Sequence, residues 1–163
     1  MNHPIKCNKI LSHLHHLKGN VVFLQETHLK NSDHQRLKRS WVGQIFHSKF
    51  NSRARGTAIL IDKNTPFIVS NTITDSNGRY IIVTGSLYNT PLILANIYAP
   101  NWDNHKFYSD LLPQVDSHYL ILGGDMNMVM NPVLDRSSNK PVSISRSAQV
   151  LHSYLKTYGA VDI

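Results

Sequence analysis

The chain has 163 residues, 41% hydrophobic and 17% charged, a balance that excludes global disorder and suits one domain with its own core. Seventeen lysines and arginines against ten acidic residues give a formal net charge of +7, which favours a polyanionic partner such as DNA. A single cysteine, Cys7, excludes an internal disulfide and a cysteine-based zinc site and predicts an intracellular protein, nuclear or cytoplasmic, while the lack of a long apolar run predicts no membrane span.

Apolar patterning predicts helices towards both ends of the chain and strands between them. The first helix is predicted over residues 4–17, with Pro4 in its first turn, one face formed by Ile10, Leu14 and Leu17, and Gly19 as its end. Strands are predicted over residues 21–25, 57–61, 67–69, 80–88, 92–98 and 119–122, with a hairpin turn at 89–91.

Two further helices complete the pattern, over residues 104–112 with Asn104 as its cap and over residues 147–158 with Gly159 as its end. Helix-strand and hairpin connections are thus mixed. This order favours a layered sheet with outer helices over a regular βαβ alternation, and nothing in it indicates an oligomer.

Polar side chains stand at the ends of three apolar runs. Glu26 follows the run at 21–25, Tyr98 and Asn101 close the run that starts at Leu92, and Asp125 and Asn127 follow the run at 119–122. Strand ends can aim side chains into a shared cleft, and carboxylates there suit a hard cation such as Mg²⁺. Each residue also has an ordinary interpretation as loop, turn or core, so the pattern alone indicates only a possible metal hydrolase.

Three segments carry a family resemblance: FLQETHL at 23–29, ILANIYAPN at 93–101 and LILGGDMN at 120–127. In this order they resemble the endonuclease/exonuclease/phosphatase superfamily, and most closely the apurinic-like endonuclease domain of vertebrate long interspersed element (LINE) retrotransposons. NHPIK, GRYIIVTGSLY and LDRS also resemble that branch, so the resemblance covers essentially residues 1–163. It implies an α/β (α+β) fold, a four-layered sandwich of two mixed β-sheets flanked by helices.

The resemblance also implies roles for five residues. Glu26 matches the acidic ligand of the catalytic metal, Mg²⁺ with Mn²⁺ as an alternative, and Tyr98 matches a tyrosine that contacts the scissile phosphate. Asp125 matches the residue that orients or activates the attacking water, and Asn127 the one that positions nucleophile and phosphate. Asn101 matches an asparagine that helps to shape the DNA cleft.

Basic residues outside these motifs are candidate phosphate contacts. Arg136 stands in LDRS, and Lys49, Arg53 and Arg55 stand in a basic segment, residues 49–56, between two strands. We give equal weight to the alternatives, in which Arg136 is a surface arginine in a turn and residues 49–56 form a solvated charged loop. Met126 stands where the family usually has phenylalanine, and we expect it to point into the core.

The segment Ser32-Asp33-His34 repeats the letters of the family's catalytic tail only six to eight residues after Glu26. Ser32 and Gln35 have the spacing of a capping box, with Asp33 in the favourable first turn of a helix. We therefore interpret this segment as a helix cap.

The chain departs from the family pattern at both ends. The family begins with a strand that carries an asparagine of the metal site, and it ends with an aspartate and a Ser-Asp-His whose histidine serves as acid and base. Neither has a counterpart here, so we expect an incomplete domain without Mg²⁺-dependent nicking. The family function is DNA nicking to prime reverse transcription; the alternatives are an exonuclease III-like or abasic-site nuclease, a phosphatase, or an inactive retrotransposon remnant with weak DNA binding.

Overall fold

A computed structural model of the protein describes residues 3–29, 31–115, 119–131 and 143–161, with the backbone only at 31–33. The chain divides into two compact units. The first comprises Met1–Tyr98 with Tyr119–Asp125, and the second comprises Ala99–His118 with Met126–Ile163. In the part of the chain that the structure describes, no helix is long and apolar enough to cross a membrane.

Two sheets form the first unit. The three-stranded sheet has the order β1-β3-β2 and is antiparallel; its strands are β1 (Val21–Leu24), β2 (Val42–Ser48) and β3 (Thr57–Asp62). The four-stranded sheet has the order β4-β5-β6-β7; its strands are β4 (Phe67–Thr74), β5 (Tyr80–Leu87), β6 (Thr90–Tyr98) and β7 (Leu120–Asp125). Among the described strands of this sheet, β6 and β7 pair in parallel and the other neighbours pair antiparallel. The α+β fold class is confirmed, with one antiparallel and one mixed sheet.

Strand β3 is central to the core of this unit because both of its faces are covered. Ile59 and Ile61 pack towards the second sheet, in a cluster with Ile81 and Val83 of β5. Leu60, on the opposite face, joins a cluster with residues of helix α1 (Pro4–His16) and of the 3₁₀ helix Asn31–Leu37. The unit is therefore layered as helix, sheet and sheet.

Helix α1 differs in detail from its prediction. Its buried residues are Cys7 and Leu11, with Leu14 partly buried, whereas Leu17 is 61% exposed. The helix ends at His16, and Lys18 rather than Gly19 takes the left-handed conformation, with φ of 55°. Because the end comes early, Leu17 leaves the helical face on which the prediction placed it.

Several strands also differ from their predictions. Strand β6 begins at Thr90, so the hairpin turn lies at 88–89 and not at the predicted 89–91. Strand β2 was not predicted, and β4 runs five residues beyond the predicted 67–69 because its polar residues lie on an exposed edge strand. Strand β7 continues through Gly123 and Gly124, beyond its predicted end at residue 122. Asp125 is thus the last residue of a strand and takes its position from the sheet.

The second unit contains helices α2 (His105–Leu111) and α3 (Arg146–Tyr158), with a 3₁₀ turn at Leu112–Val115. The two helices pack on each other, and their buried residues include Tyr108 and Leu151. Both predicted termini are confirmed: the Asn104 side chain accepts from the Phe107 N–H at 3.2 Å, and Gly159 ends α3 in the left-handed conformation.

Candidate active site

The Glu26 loop begins where β1 ends and is held by backbone hydrogen bonds to the residues before β3. The Thr27 N–H donates to Gly56 O and the His28 N–H donates to Arg55 O, both at 3.0 Å. Glu26 is exposed and has a φ of 49°, in the left-handed region that is uncommon for a residue with a side chain. Such conformations cluster at functional sites, where surrounding contacts hold them.

Tyr98 and Asp125 are brought together by the parallel pairing of β6 with β7. Tyr98 is the last residue of β6, Asp125 is the last residue of β7, and the two are register partners. The close approach requires glycine before Asp125: Gly124 has a φ of 132°, and a Cβ there would lie 2.0 Å from Ile97 O. Both side chains consequently project from the same end of one sheet.

A hydrogen bond joins Tyr98 to the Glu26 loop, because the phenolic hydroxyl donates to Glu26 Oε1. This bond, the burial of the ring and the negative charges of Glu26 and Asp125 raise the pKa of Tyr98 above its ordinary value, against the opposing effect of Arg79. The phenol is therefore a protonated donor next to two carboxylates. The structure brings together these three of the predicted site residues.

Arg79, which was not among the predicted site residues, also contacts Tyr98. Its Nη1 donates to Tyr98 O at 3.3 Å, and its Cζ lies 5.9 Å from the centre of the Tyr98 ring. The residue is only 9% exposed, and burial, followed by the charge of Arg55, lowers the pKa of its guanidinium. A signal was present in GRYIIVTGSLY: an arginine directly before a buried strand, after a turn whose Asp75 carboxylate accepts from the Arg79 N–H.

Asn96 is a buried side chain that links the two sheets next to the candidate site. It is fully buried, and its Nδ2 donates to Leu24 O at 3.0 Å and to Ala58 O at 2.8 Å. Its Oδ1 accepts from Gln25 Nε2 at 2.6 Å. Asn96 therefore links β6 of one sheet to β1 and β3 of the other. Two of its partners, Leu24 and Gln25, directly precede Glu26 in the chain.

The predicted basic segment is a structured loop. Asn51 Oδ1 accepts from the N–H groups of Arg53 and Ala54, both at 2.8 Å. Lys49 and Arg53 are exposed, and the Arg55 guanidinium lies over the Phe50 ring at 4.5 Å from its centre. Arg55 also contributes its carbonyl to the Glu26 loop, so this basic segment is attached to the candidate site.

Asn101 and Asn127 lie in the second unit and meet there. Asn127 Nδ2 donates to Ala99 O at 2.7 Å and lies 3.5 Å from Asn101 Oδ1. Asn127 has a φ of 47°, so it is left-handed like Glu26 and Arg55 among the predicted site positions. Met126 is half-buried and lines a cavity of about 200 Å³ together with Asn127, rather than entering the core as expected.

Other predicted positions fall outside the described residues. They include Arg136 and the side chains of Ser32 and Asp33, so the capping interpretation stays a prediction. His34 is described, and its ring stacks on His47 of β2 with the ring centres 3.2 Å apart. Burial, then the charges of His34 and Lys49, lower the pKa of His47 from 6.5 to about 4.

Comparison with known proteins gives matches to the sequence and to the fold. A model described as "Endonuclease/Exonuclease/phosphatase family" matches residues 7–143. The chain is 28% identical over 171 residues to the "Transposon TX1 uncharacterized 149 kDa protein" of Xenopus laevis, which aligns with 98% of this chain. The chain spans 12% of that relative's length.

Solved structures share the fold at low identity. TDP2 from Caenorhabditis elegans has a TM-score of 0.61 and 18% identity, covering 83% of this chain and 45% of the solved one. D. rerio TDP2, complexed with single strand DNA product, has a TM-score of 0.62 and 21% identity over 79% and 56% of the two chains. ANGEL2, a 2',3'-cyclic phosphatase, has a TM-score of 0.56 and 14% identity over 74% and 43%.

Proposed function

Because the chain belongs to the Endonuclease/Exonuclease/phosphatase family, we propose that it is a phosphodiesterase-type domain that acts on DNA with a divalent cation, Mg²⁺ or Mn²⁺. The observation that carries this proposal is the cluster of Glu26, Tyr98 and Asp125, in which a buried phenol donates to one carboxylate and is the register partner of the other. Target-DNA nicking in a retrotransposon is the specific form we propose, supported by the similarity to the transposon TX1 protein across 98% of the chain.

The residues present fit a hard, strongly hydrated cation. Glu26 and Asp125 supply carboxylate oxygens close enough for both to raise the pKa of Tyr98. Among the described residues no group of three or more His, Cys, Asp or Glu side chains converges, and Mg²⁺ is commonly held by one or two carboxylates with waters and substrate phosphate. When bound, the cation would neutralise charge on the phosphate.

Side chains of the first unit would bind the cation and the phosphate and activate the attacking water. Glu26 would hold the cation, and the Tyr98 hydroxyl, which donates to Glu26 Oε1 in the structure, would instead donate its one hydrogen bond to an oxygen of the scissile phosphate. Asp125 would orient the attacking water and accept its proton as the new P–O bond forms and the bond to the leaving sugar oxygen breaks; that oxygen would depart as an alkoxide and take a proton from solvent. Arg79 holds the Tyr98 backbone and places a buried positive charge beside this cluster.

The positive charge of the chain favours DNA over a small phosphoester as the substrate. The formal net charge of the chain is +7, and three basic side chains stand on the loop attached to Glu26, namely Lys49, Arg53 and Arg55. For Asn101, Asn127 and Arg136 the DNA-cleft, nucleophile-positioning and phosphate-contact roles implied by the family are part of the same proposal. Similarity to a TDP2 solved with a single strand DNA product supports DNA as the family's partner.

The test pairs a cleavage assay with a metal-binding assay. We expect Mn²⁺ binding, followed by electron paramagnetic resonance, to weaken strongly in Glu26→Gln and to persist in Asp110→Asn, which alters an exposed carboxylate on α2. Any nicking of supercoiled plasmid should be lost in Glu26→Gln and retained in Asp110→Asn. Unchanged Mn²⁺ binding in Glu26→Gln would refute the metal role, whereas Mn²⁺ and DNA binding without nicking would favour the non-cleaving, DNA-binding alternative.

A further inference from the structure

Phe50 is an exposed aromatic residue near the start of the basic loop, residues 49–56. Its side chain is 44% exposed, and one face of the ring carries the Arg55 guanidinium at 4.5 Å from the ring centre. We propose that Phe50 and Arg55 form a stacking surface for one unpaired base of a DNA strand that passes the Glu26 loop. Aromatic rings and guanidinium planes are the groups on which proteins stack unpaired bases.

The stacking surface is held in place before any ligand arrives. Asn51 Oδ1 accepts two backbone N–H groups of its own loop, from Arg53 and Ala54. The turn before β5 packs directly beneath, since a Cβ on Gly78 would lie 2.7 Å from Phe50 N. Little conformational entropy is therefore lost when a base stacks here, which favours binding.

Hydrogen bonds connect the stacking surface to the candidate active site. His28 N–H donates to Arg55 O, two residues after Glu26, and Gly56 N–H donates to Gly78 O at 3.1 Å, one residue before Arg79. The charge of Arg55 is also among the causes of the lowered pKa of Arg79. A base on Phe50 would thus belong to a nucleotide close to the phosphate held at Glu26 and Tyr98.

The chemistry of the stacking surface favours a base without a partner strand. Bases inside a duplex already stack on both neighbours, so a protein ring reaches their faces only where the strand is single or opened. Lys49 and Arg53 are exposed on the same loop and can contact phosphates on either side of the stacked base. The inference rests on the proposed function for the position of the scissile phosphate, and it specifies a substrate with unpaired nucleotides there.

Equilibrium binding to labelled oligonucleotides tests the proposal without requiring cleavage. Fluorescence anisotropy in EDTA would compare an oligo-dT strand with an oligo-dT/oligo-dA duplex of the same length, for the full chain and for Phe50→Ala, Phe50→Trp and Tyr88→Ala. Phe50→Ala should weaken single-strand binding roughly 5- to 150-fold, the range for losing one stacked base, and weaken duplex binding much less. Phe50→Trp should retain binding because indole also stacks.

Tyr88 provides the matched control. It is 75% exposed and follows the last residue of β5, whereas the Phe50 loop packs on the turn that precedes the first residue of that strand. The salt dependence of binding separates stacking from collapse of the loop: Phe50→Ala removes no charge, so the slope of log affinity against log salt should stay unchanged.

Three results would overturn the proposal: equal losses in Phe50→Ala and Tyr88→Ala, equal losses for single strand and duplex, or tighter binding to RNA of the same sequence. Failure of the proposed function is distinguishable, because Glu26→Gln would then leave both Mn²⁺ binding and nicking unchanged, whatever the outcome at Phe50.

Discussion

Replacement of Asn96 tests whether its buried amide holds the two sheets of the first unit together next to the candidate site. Asn96→Ala removes three hydrogen bonds, two donated to the carbonyls of Leu24 and Ala58 and one accepted from Gln25. At about 1 kcal/mol net for each bond, the free energy of unfolding should fall by about 3 kcal/mol. For a chain of this size that corresponds to a drop in Tm of roughly 6–12 °C.

Asn96→Asp is the sharper variant because it keeps the size of the side chain. The aspartate has no Nδ2 donor and would place negative charge against the carbonyl oxygens of Leu24 and Ala58. We therefore expect Asn96→Asp to be less stable than Asn96→Ala at pH 7. Urea denaturation followed by circular dichroism would measure both, with Asn71→Ala on the exposed edge strand β4 as the control, expected within about 0.5 kcal/mol of wild type.

The reasoning would be refuted if Asn96→Asp proved more stable than Asn96→Ala, or if Asn96→Ala cost no more than the Asn71 control. A second readout follows from the strand geometry. Asn96 and Tyr98 are two residues apart on β6 and so face the same side, which is the side of Glu26. Loss of Asn96 should therefore also weaken Mn²⁺ binding at Glu26.

The remaining predictions concern a histidine, two glycines and a helix cap. The pKa of His47 is lowered to about 4 in the folded chain, so between pH 6.5 and about pH 4 the unfolded chain binds a proton that the folded chain does not. The free energy of unfolding should therefore fall as pH falls through this window. Urea midpoints at pH 7 and at pH 4.5 should differ less in His47→Gln than in wild type. Gly124→Ala should cost more than Gly159→Ala in thermal unfolding, because both residues have positive φ but only Gly124 is crowded, with Ile97 O 2.0 Å from the added Cβ; equal costs would contradict the steric argument. Ser145→Ala should destabilise α3 by about 1 kcal/mol, since its hydroxyl accepts from the Ala148 N–H, and Ser145→Asp should restore the cap; a neutral Ser145→Ala in calorimetry would argue against it.

Much of the site was predictable because it lies at strand ends. Glu26, Tyr98 and Asp125 each close an apolar run, and such runs are visible in sequence from hydrophobicity alone. Their grouping was predicted from the family resemblance, and the structure places the three together in one unit. Asn101 and Asn127 also meet as neighbours, although in the second unit.

The hydrogen-bond partners of Arg79 and Asn96 were not predictable from their local sequence. Arginine and asparagine side chains are ordinarily exposed to solvent. Neither their spacing nor the composition of the chain indicates which backbone carbonyls they will contact. Their partners lie 19 to 72 residues away in the chain, on other strands. Only the antiparallel pairing of β5 with β6 brings Tyr98 O to Arg79, and only the packing of one sheet on the other brings Leu24 O to Asn96.

The sequence by itself determined the apolar runs, the helix caps at Asn104 and Gly159, the basic charge and the chemical identity of the strand-end residues, because these depend on neighbours within a few positions. Only the tertiary structure decided that β7 runs through two glycines, so that Asp125 ends a strand in register with Tyr98. The physical reason is that strand pairing and burial depend on contacts between distant segments, whose geometry is settled when the sheets pack and not by local preference.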